Sequence, residues 1–257
     1  MRIETVKALI LFLVLFAVWQ VLYSFALDEL LAYTIVLVVL AGFLFLDKQS
    51  LASLGFRRPS SWKRYAGIGL ILGAVFVMYV FTLGSALFAS DPESLIRPLI
   101  FTVNLGVLSV PYVAALALAV ALVEETSFRG YILRNLIQSF SHRRALLFSA
   151  ILFGLYHISW FYIYYSPLPP SQTFTYWSSF IVYAFVGGVF LGYFYMNTER
   201  TTIGPIAYHW SIIFIQSFVP YTLPFSTAAG HGLITIPILL FIPLLVFLKR
   251  NGWLGKA

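Results

Sequence analysis

Two adjacent glutamates, Glu124 and Glu125, close an uninterrupted apolar run, Leu116–Val123, and Arg129 follows four residues after the second. In a helix Glu125 and Arg129 lie one above the other, in the favourable acid-before-base order, while Glu124 points about 100° away. Two neighbouring carboxylates in one apolar setting do not ionise alike. The one beside Arg129 stays charged and structural, which leaves Glu124 for proton transfer. Charges inside a span cost about 2.5–3.5 kcal/mol each at its centre and so call for a reason. The plain alternative is a set of interfacial charges snorkelling to the headgroups.

A histidine, His157 of Phe153-Gly-Leu-Tyr-His157, sits in the next apolar run. The polar cluster around Ser139, Ser141, His142, Arg143 and Arg144 suggests a hairpin turn near Phe140–His142. Glu124 lies about sixteen residues before that turn and His157 about sixteen after it, so at 1.5 Å per residue both stand about 24 Å from it. A carboxylate and an imidazole at one depth can hold a water between them, a nucleophile suited to amide hydrolysis. His209, shortly after Pro205, is a third candidate, with Gln216 on nearly the same helical face. His142 and His231 are read as having no direct role.

The elements that must position these groups follow from composition. Of 257 residues, 61% are hydrophobic and 10% charged, against about 45–50% and 25% in soluble domains. Lipid must be the solvent for much of this chain. With no cysteine, thiolate metal sites, disulfides and a cysteine nucleophile are excluded. Apolar runs near residues 7–27, 30–46, 65–89, 100–123, 145–165, 176–196, 202–220 and 232–248 predict an all-α, polytopic transmembrane helical bundle of about eight spans. The first is read as an uncleaved span rather than a signal peptide, since no small-x-small cleavage site follows it.

With an even span count, nearly all basic residues fall on one side. Lys48, Arg57, Arg58, Lys63 and Arg64 precede span three; Arg129, Arg134, Arg143 and Arg144 follow span four; Arg200 follows span six; and Lys249, Arg250 and Lys256 follow span eight. Arg97 alone lies opposite, near Asp91 and Glu93. The positive-inside rule then puts both termini in the cytoplasm. The net charge of +7 is thus a topology signal and a contact with anionic lipid. Dispersed over short loops, it forms no nucleic-acid groove. Residues 1–257 read as a single integral membrane domain with its catalytic core in 120–215. Compact loops and the lack of a targeting signal favour a prokaryotic cytoplasmic membrane. Gly187-Gly188 is read as a close helix contact, and the aromatics Trp160–Tyr165, Tyr176 and Trp177 as an interfacial belt at the outer face.

Glu124-Glu125-x-x-x-Arg129, Phe153-x-x-x-His157 and His209, in this order on successive helices, resemble the CPBP family of intramembrane proteases. That group comprises the CAAX prenyl proteases and bacteriocin-processing or immunity-type membrane peptidases. Leu54-Gly-Phe-Arg-Arg-Pro59 is similar to the segment that enters span three in many members. The resemblance implies a cavity in which Glu124 and His157 activate a water for attack on a peptide carbonyl. It also implies catalytic roles for Glu125, Arg129 and His209. In the CAAX-protease branch an Asn follows the last His by four residues and helps hold the oxyanion. Here that position is Ile213, so His209 would act alone or with Gln216, Ser211 or a backbone donor.

The cofactor is left open. Glu124, His157 and His209 form a ligand set known for catalytic zinc. The absence of a His-Glu-x-x-His motif, and the origin of the three groups on three helices, favour a metal-independent glutamate mechanism. The expected partners are a peptide or protein substrate in the membrane, prenylated or leader-type, and the lipid bilayer. Two other classes stay open. A catalytically silent scaffold of the same fold would bind a membrane partner. A proton-coupled transporter would use the same Glu and His as a relay, although no inverted repeat is visible.

Overall fold

Long apolar segments without competing turn residues can satisfy their backbone groups in lipid only as helices. In the computed structural model, residues 2–25, 27–88, 109–160, 170–218 and 228–255 are described, and among them no strand occurs. The helices are α1 (Ile3–Ser24), α2 (Glu29–Leu46), α3 (Trp62–Phe88), α4 (Ser109–Glu125), α5 (Arg134–Ser139), α6 (His142–Tyr156), α7 (Pro170–Met196), α8 (Ile203–Gln216) and α9 (Ala228–Arg250). Asp28 caps α2 by accepting the Leu31 amide at 3.2 Å. Between α4 and α5 the chain continues as a π-helix, Thr126–Leu133.

Each helix buries one stripe. In α1, Ala8, Leu11, Leu15, Trp19 and Leu22 face inward at three- and four-residue spacing. The opposite faces are apolar too: Val38 is 67% exposed and Phe45 81%. Exposed aliphatic faces over whole helices suit lipid contact, not water. Among the described residues, five stretches are long and apolar enough to cross a membrane: Ile3–Leu22, Glu29–Leu46, Trp62–Val80, Val110–Ser139 and Ser178–Met196. The protein is therefore an all-helical integral membrane protein. The expected fifth and seventh spans correspond to α6 and α8, which have 15 and 14 residues, fewer than the roughly 20 a straight span needs.

Two apolar clusters make the interior. One joins α1, α2 and the α4–π–α5 segment; the other joins α3, α7, α8 and α9. Helix α8 belongs to both, with Ile213 in the first and Tyr208 and Ile212 in the second. Its closest neighbour is α3, and the reason is small residues. A Cβ on Gly69 would meet the Gly204 carbonyl, and one on Gly73 would meet Ser211 Oγ. Gly69-x-x-x-Gly73 thus lets the two backbones touch, as small-residue pairs do between membrane helices. Of the Gly187-Gly188 pair, only Gly188 makes the expected close contact, against Ala150 and Phe153 of α6; a Cβ on Gly187 would meet nothing within 4 Å. Arg97, Asp91, Glu93 and Phe161–Tyr165 lie outside the described residues, as do the side chains of Trp160, Tyr176, Trp177 and His231.

Candidate active site

The hairpin turns where the sequence places it. Helix α5 ends at Ser139, Phe140 is extended, and α6 starts at His142. This brings His157 beside Glu124, with Nε2 3.9 Å from Oε2. His209 Nε2 comes from α8 to within 3.7 Å of the same oxygen. Glu124 is 1% exposed, Glu125 0% and His157 8%. Three polar groups from three helices thus meet in an apolar interior.

Each imidazole is oriented through its other nitrogen. His157 Nδ1 donates to the Phe153 carbonyl, 2.7 Å away and one turn earlier, so when neutral its Nε2 is the acceptor nitrogen, and it faces Glu124. Phe153 and Phe180 close around the ring at centroid distances of 4.7 and 5.7 Å. His209 Nδ1 lies 2.9 Å from Glu125 Oε1. Arg129 Nη1 donates to that same oxygen at 3.2 Å, the pairing expected from the four-residue spacing. The guanidinium is itself fixed: it lies 4.3 Å over the Phe153 ring and donates to the Gly188 carbonyl at 3.5 Å. The two glutamates therefore have separate surroundings. Glu125 is tied to Arg129 and His209, while Oε2 of Glu124 accepts no hydrogen bond from any described protein group.

Sequence reasoning missed several supports. Phe153 serves twice, through its carbonyl and through its ring. Trp19 Nε1 donates to the Tyr156 hydroxyl and ties α1 to the residue before His157. Gly130, next to Arg129, admits the Leu54 carbonyl so closely that a Cβ there would collide with it. The spacing of Gly69 and Gly73 was visible in the chain and would have predicted the α3–α8 contact. Ile213, at the position of the family's Asn, is 7% exposed and packs in the first apolar cluster. Ser211 donates to the Tyr208 carbonyl at 2.9 Å and faces α3.

The three donors are of types that zinc accepts, and their outer nitrogens are engaged as in metal sites. Ligands around a tetrahedral zinc stand about 3.4 Å apart, closer than the 3.7 and 3.9 Å found here. Among the described residues no group of three His, Cys, Asp or Glu is arranged to hold a metal ion.

Beside this centre runs an apolar crevice of about 580 Å³ between α3, α4 and α8, lined by residues including Ala114, Ala115, Leu118, Leu122 and Trp210. Trp210 directly follows His209, and its indole donates to the Ala114 carbonyl at 3.1 Å.

Fold and site together define a class: a helical membrane protein whose spans enclose a buried carboxylate–imidazole centre. Residues 104–215 match the family model described as type II CAAX prenyl endopeptidase Rce1-like. The match takes in every motif residue from Glu124 to His209 and bears out the resemblance to the CPBP proteases. No curated protein matches the chain.

Proposed function

We propose that the protein is an intramembrane endopeptidase that hydrolyses a peptide bond of a membrane-associated substrate with a water activated by Glu124 and His157. The observation that carries this reading is Oε2 of Glu124, buried between His157 Nε2 at 3.9 Å and His209 Nε2 at 3.7 Å. A water accepted between Glu124 and His157 would lose its proton to the carboxylate as its oxygen attacks the carbonyl carbon. The resulting oxyanion would be held by His209 in its protonated form, donating from Nε2 while Glu125 accepts from Nδ1. Glu124 would then return the proton to the leaving amine as the C–N bond breaks. Arg129 balances the charge of Glu125 and so keeps that carboxylate fixed beneath His209. In this reading residues 120–215 form the catalytic core of a single domain of eight spans, with both termini in the cytoplasm.

The apolar crevice beside His209 favours substrates carrying a hydrocarbon chain, such as a prenylated peptide. A second reading, a silent scaffold, draws on one observation: Ile213 supplies no oxyanion donor.

The test is mass spectrometry of new peptide termini in membrane and secreted fractions of a deletion strain. The strain is rescued with wild type or with Glu124→Gln at matched expression. Termini that return only with wild type establish proteolysis and identify the substrate. Identical termini from both, where both rescue the deletion phenotype, would replace the peptidase by the scaffold.

A further inference from the structure

Away from the catalytic centre, the loops before α3 and before α8 fold against the end of the motif helix. Thr202 N–H donates to the Gly55 carbonyl at 3.0 Å, and Thr201 Oγ1 donates to the same oxygen at 2.8 Å. Gly55 turns the chain here with φ +88°, at a point where a Cβ would press on Arg200 and Thr202. Glu199 and Arg200 both adopt left-handed backbone, φ 56° and 54°. Two consecutive non-glycine residues in that region cost energy, and such strain gathers at functional sites.

Between these loops and the motif helix lies a cavity of about 360 Å³ lined by Ser53, Arg57, Arg134, Gln138, Tyr195 and Arg200, with Ala52 and Ile137. Three guanidiniums line it and, among the described residues, no carboxylate does. Arg57 donates to the Glu199 carbonyl. Arg134 donates to the Ser53 carbonyl at 2.6 Å and to Gln49 Oε1 at 2.9 Å, and Arg200 lies 3.2 Å from His142 Nε2. None of the three is paired with an acid among the described residues. The nearby acids are engaged elsewhere: Glu199 accepts from the Tyr65 hydroxyl at 2.7 Å, and Asp47 pairs with Lys7 at 2.9 Å.

A guanidinium has five donors in a planar fork that matches phosphate oxygens. Held by carbonyl and amide oxygens or set beside an imidazole, rather than by carboxylates, these three leave their charge for a ligand. We propose that this cavity binds a phosphate group, presented in the membrane as the headgroup of an anionic phospholipid. Arg57 and Arg200 come from loops, and Arg134 from the end of the motif helix, that the positive-inside rule assigns to the cytoplasmic face, where anionic headgroups lie. Ala52 and Ile137 give the cavity an apolar shoulder suited to the start of an acyl chain.

The test uses the full chain in mild detergent, titrated with phosphatidylglycerol or phosphatidylcholine and read by native mass spectrometry. Wild type should retain phosphatidylglycerol in preference to phosphatidylcholine. Arg57→Gln/Arg200→Gln should weaken that retention about tenfold or more. Arg143→Gln/Arg144→Gln removes the same charge from exposed positions on α6 and should leave it unchanged. Gln138→Glu, which removes no arginine contact, should weaken retention as well and covers the case in which the double variant fails to fold. Inorganic phosphate at constant ionic strength should compete with the lipid. Tight binding of inorganic phosphate with no added retention of phosphatidylglycerol would overturn the lipid source. Undiminished retention by folded Gln138→Glu, or equal losses from the Arg143/Arg144 variant, would overturn the site.

Discussion

His209 and Arg129 meet on one oxygen: Oε1 of Glu125 lies 2.9 Å from the imidazole Nδ1 and 3.2 Å from the guanidinium. An arginine from the motif helix thus governs, through a single carboxylate, a histidine on another helix.

Removing one member of this chain should therefore harm stability and activity together. Arg129→Met takes the guanidinium from buried Glu125 and leaves it only the His209 imidazole, at about 3–5 kcal/mol, read as a lower melting temperature in detergent. Glu125→Leu/Arg129→Met removes both charges and should recover most of that stability. It should still lack cleavage, since His209 has lost its acceptor. Recovery of activity with stability would show that Glu125 does not orient His209.

The α3–α8 contact should set the position of His209. Gly73→Leu must displace Ser211 and Tyr208 and with them the helix that carries the imidazole. Overpacking of this kind costs about 1–3 kcal/mol, and a displacement of about 1 Å in a catalytic group lowers rates about 10²-fold. Gly67→Leu, at a position with nothing within 4 Å, should be neutral in the same assay.

Asp47, just past α2, predicts an acid response. Burial raises its carboxyl, but hydrogen bonds from Tyr131, Lys7 and Gln49 outweigh burial and hold it below the ordinary 3.8. A carboxyl lowered by folding contributes stability at neutral pH and loses it as pH falls below about 3.8. Asp47→Ala should melt lower than wild type at pH 7, by roughly 2 kcal/mol of stability. The two curves should converge as pH falls below 3.8 and through the lowered range of this carboxyl. Parallel curves would remove Asp47 from the acid response.

The apolar crevice should matter only for substrates with a hydrocarbon chain. Ala115→Trp fills it from α4 without touching the motif residues. KM for a lipidated peptide should rise about tenfold or more, with kcat for an unlipidated peptide of the same sequence unchanged. Equal effects on both peptides would place the chain elsewhere.

What the sequence made legible was local or set by helix geometry. Arg129 pairs with Glu125 because four residues make one turn, and His157 reaches Glu124 because the hairpin at Phe140 equalises their depth. His209 stood out as a histidine inside an apolar run, but its bond to Glu125 spans 84 positions, and nothing local pairs the two. The π-helix Thr126–Leu133 had no residue code to announce it. Arg57, Arg134 and Arg200 spoke only of topology, since nothing local says that two loops and the end of the motif helix will converge. Gly69 and Gly73 were readable and passed over, whereas Gly187 was credited with a contact that belongs to Gly188 alone.

The burial of Glu124, Glu125 and Arg129 in one stretch, Val110–Ser139, bears on how the chain is made. Each such group opposes entry into the bilayer by about 2.5–3.5 kcal/mol, so this stretch inserts poorly on its own and needs helices already in place beside it. Helices α1 and α2 precede it and supply that wall. His209 emerges 84 residues after Glu125, roughly 4–17 s later at ordinary synthesis rates. Until then Arg129, only four residues on, is the charged partner of Glu125 that the nascent segment brings with it.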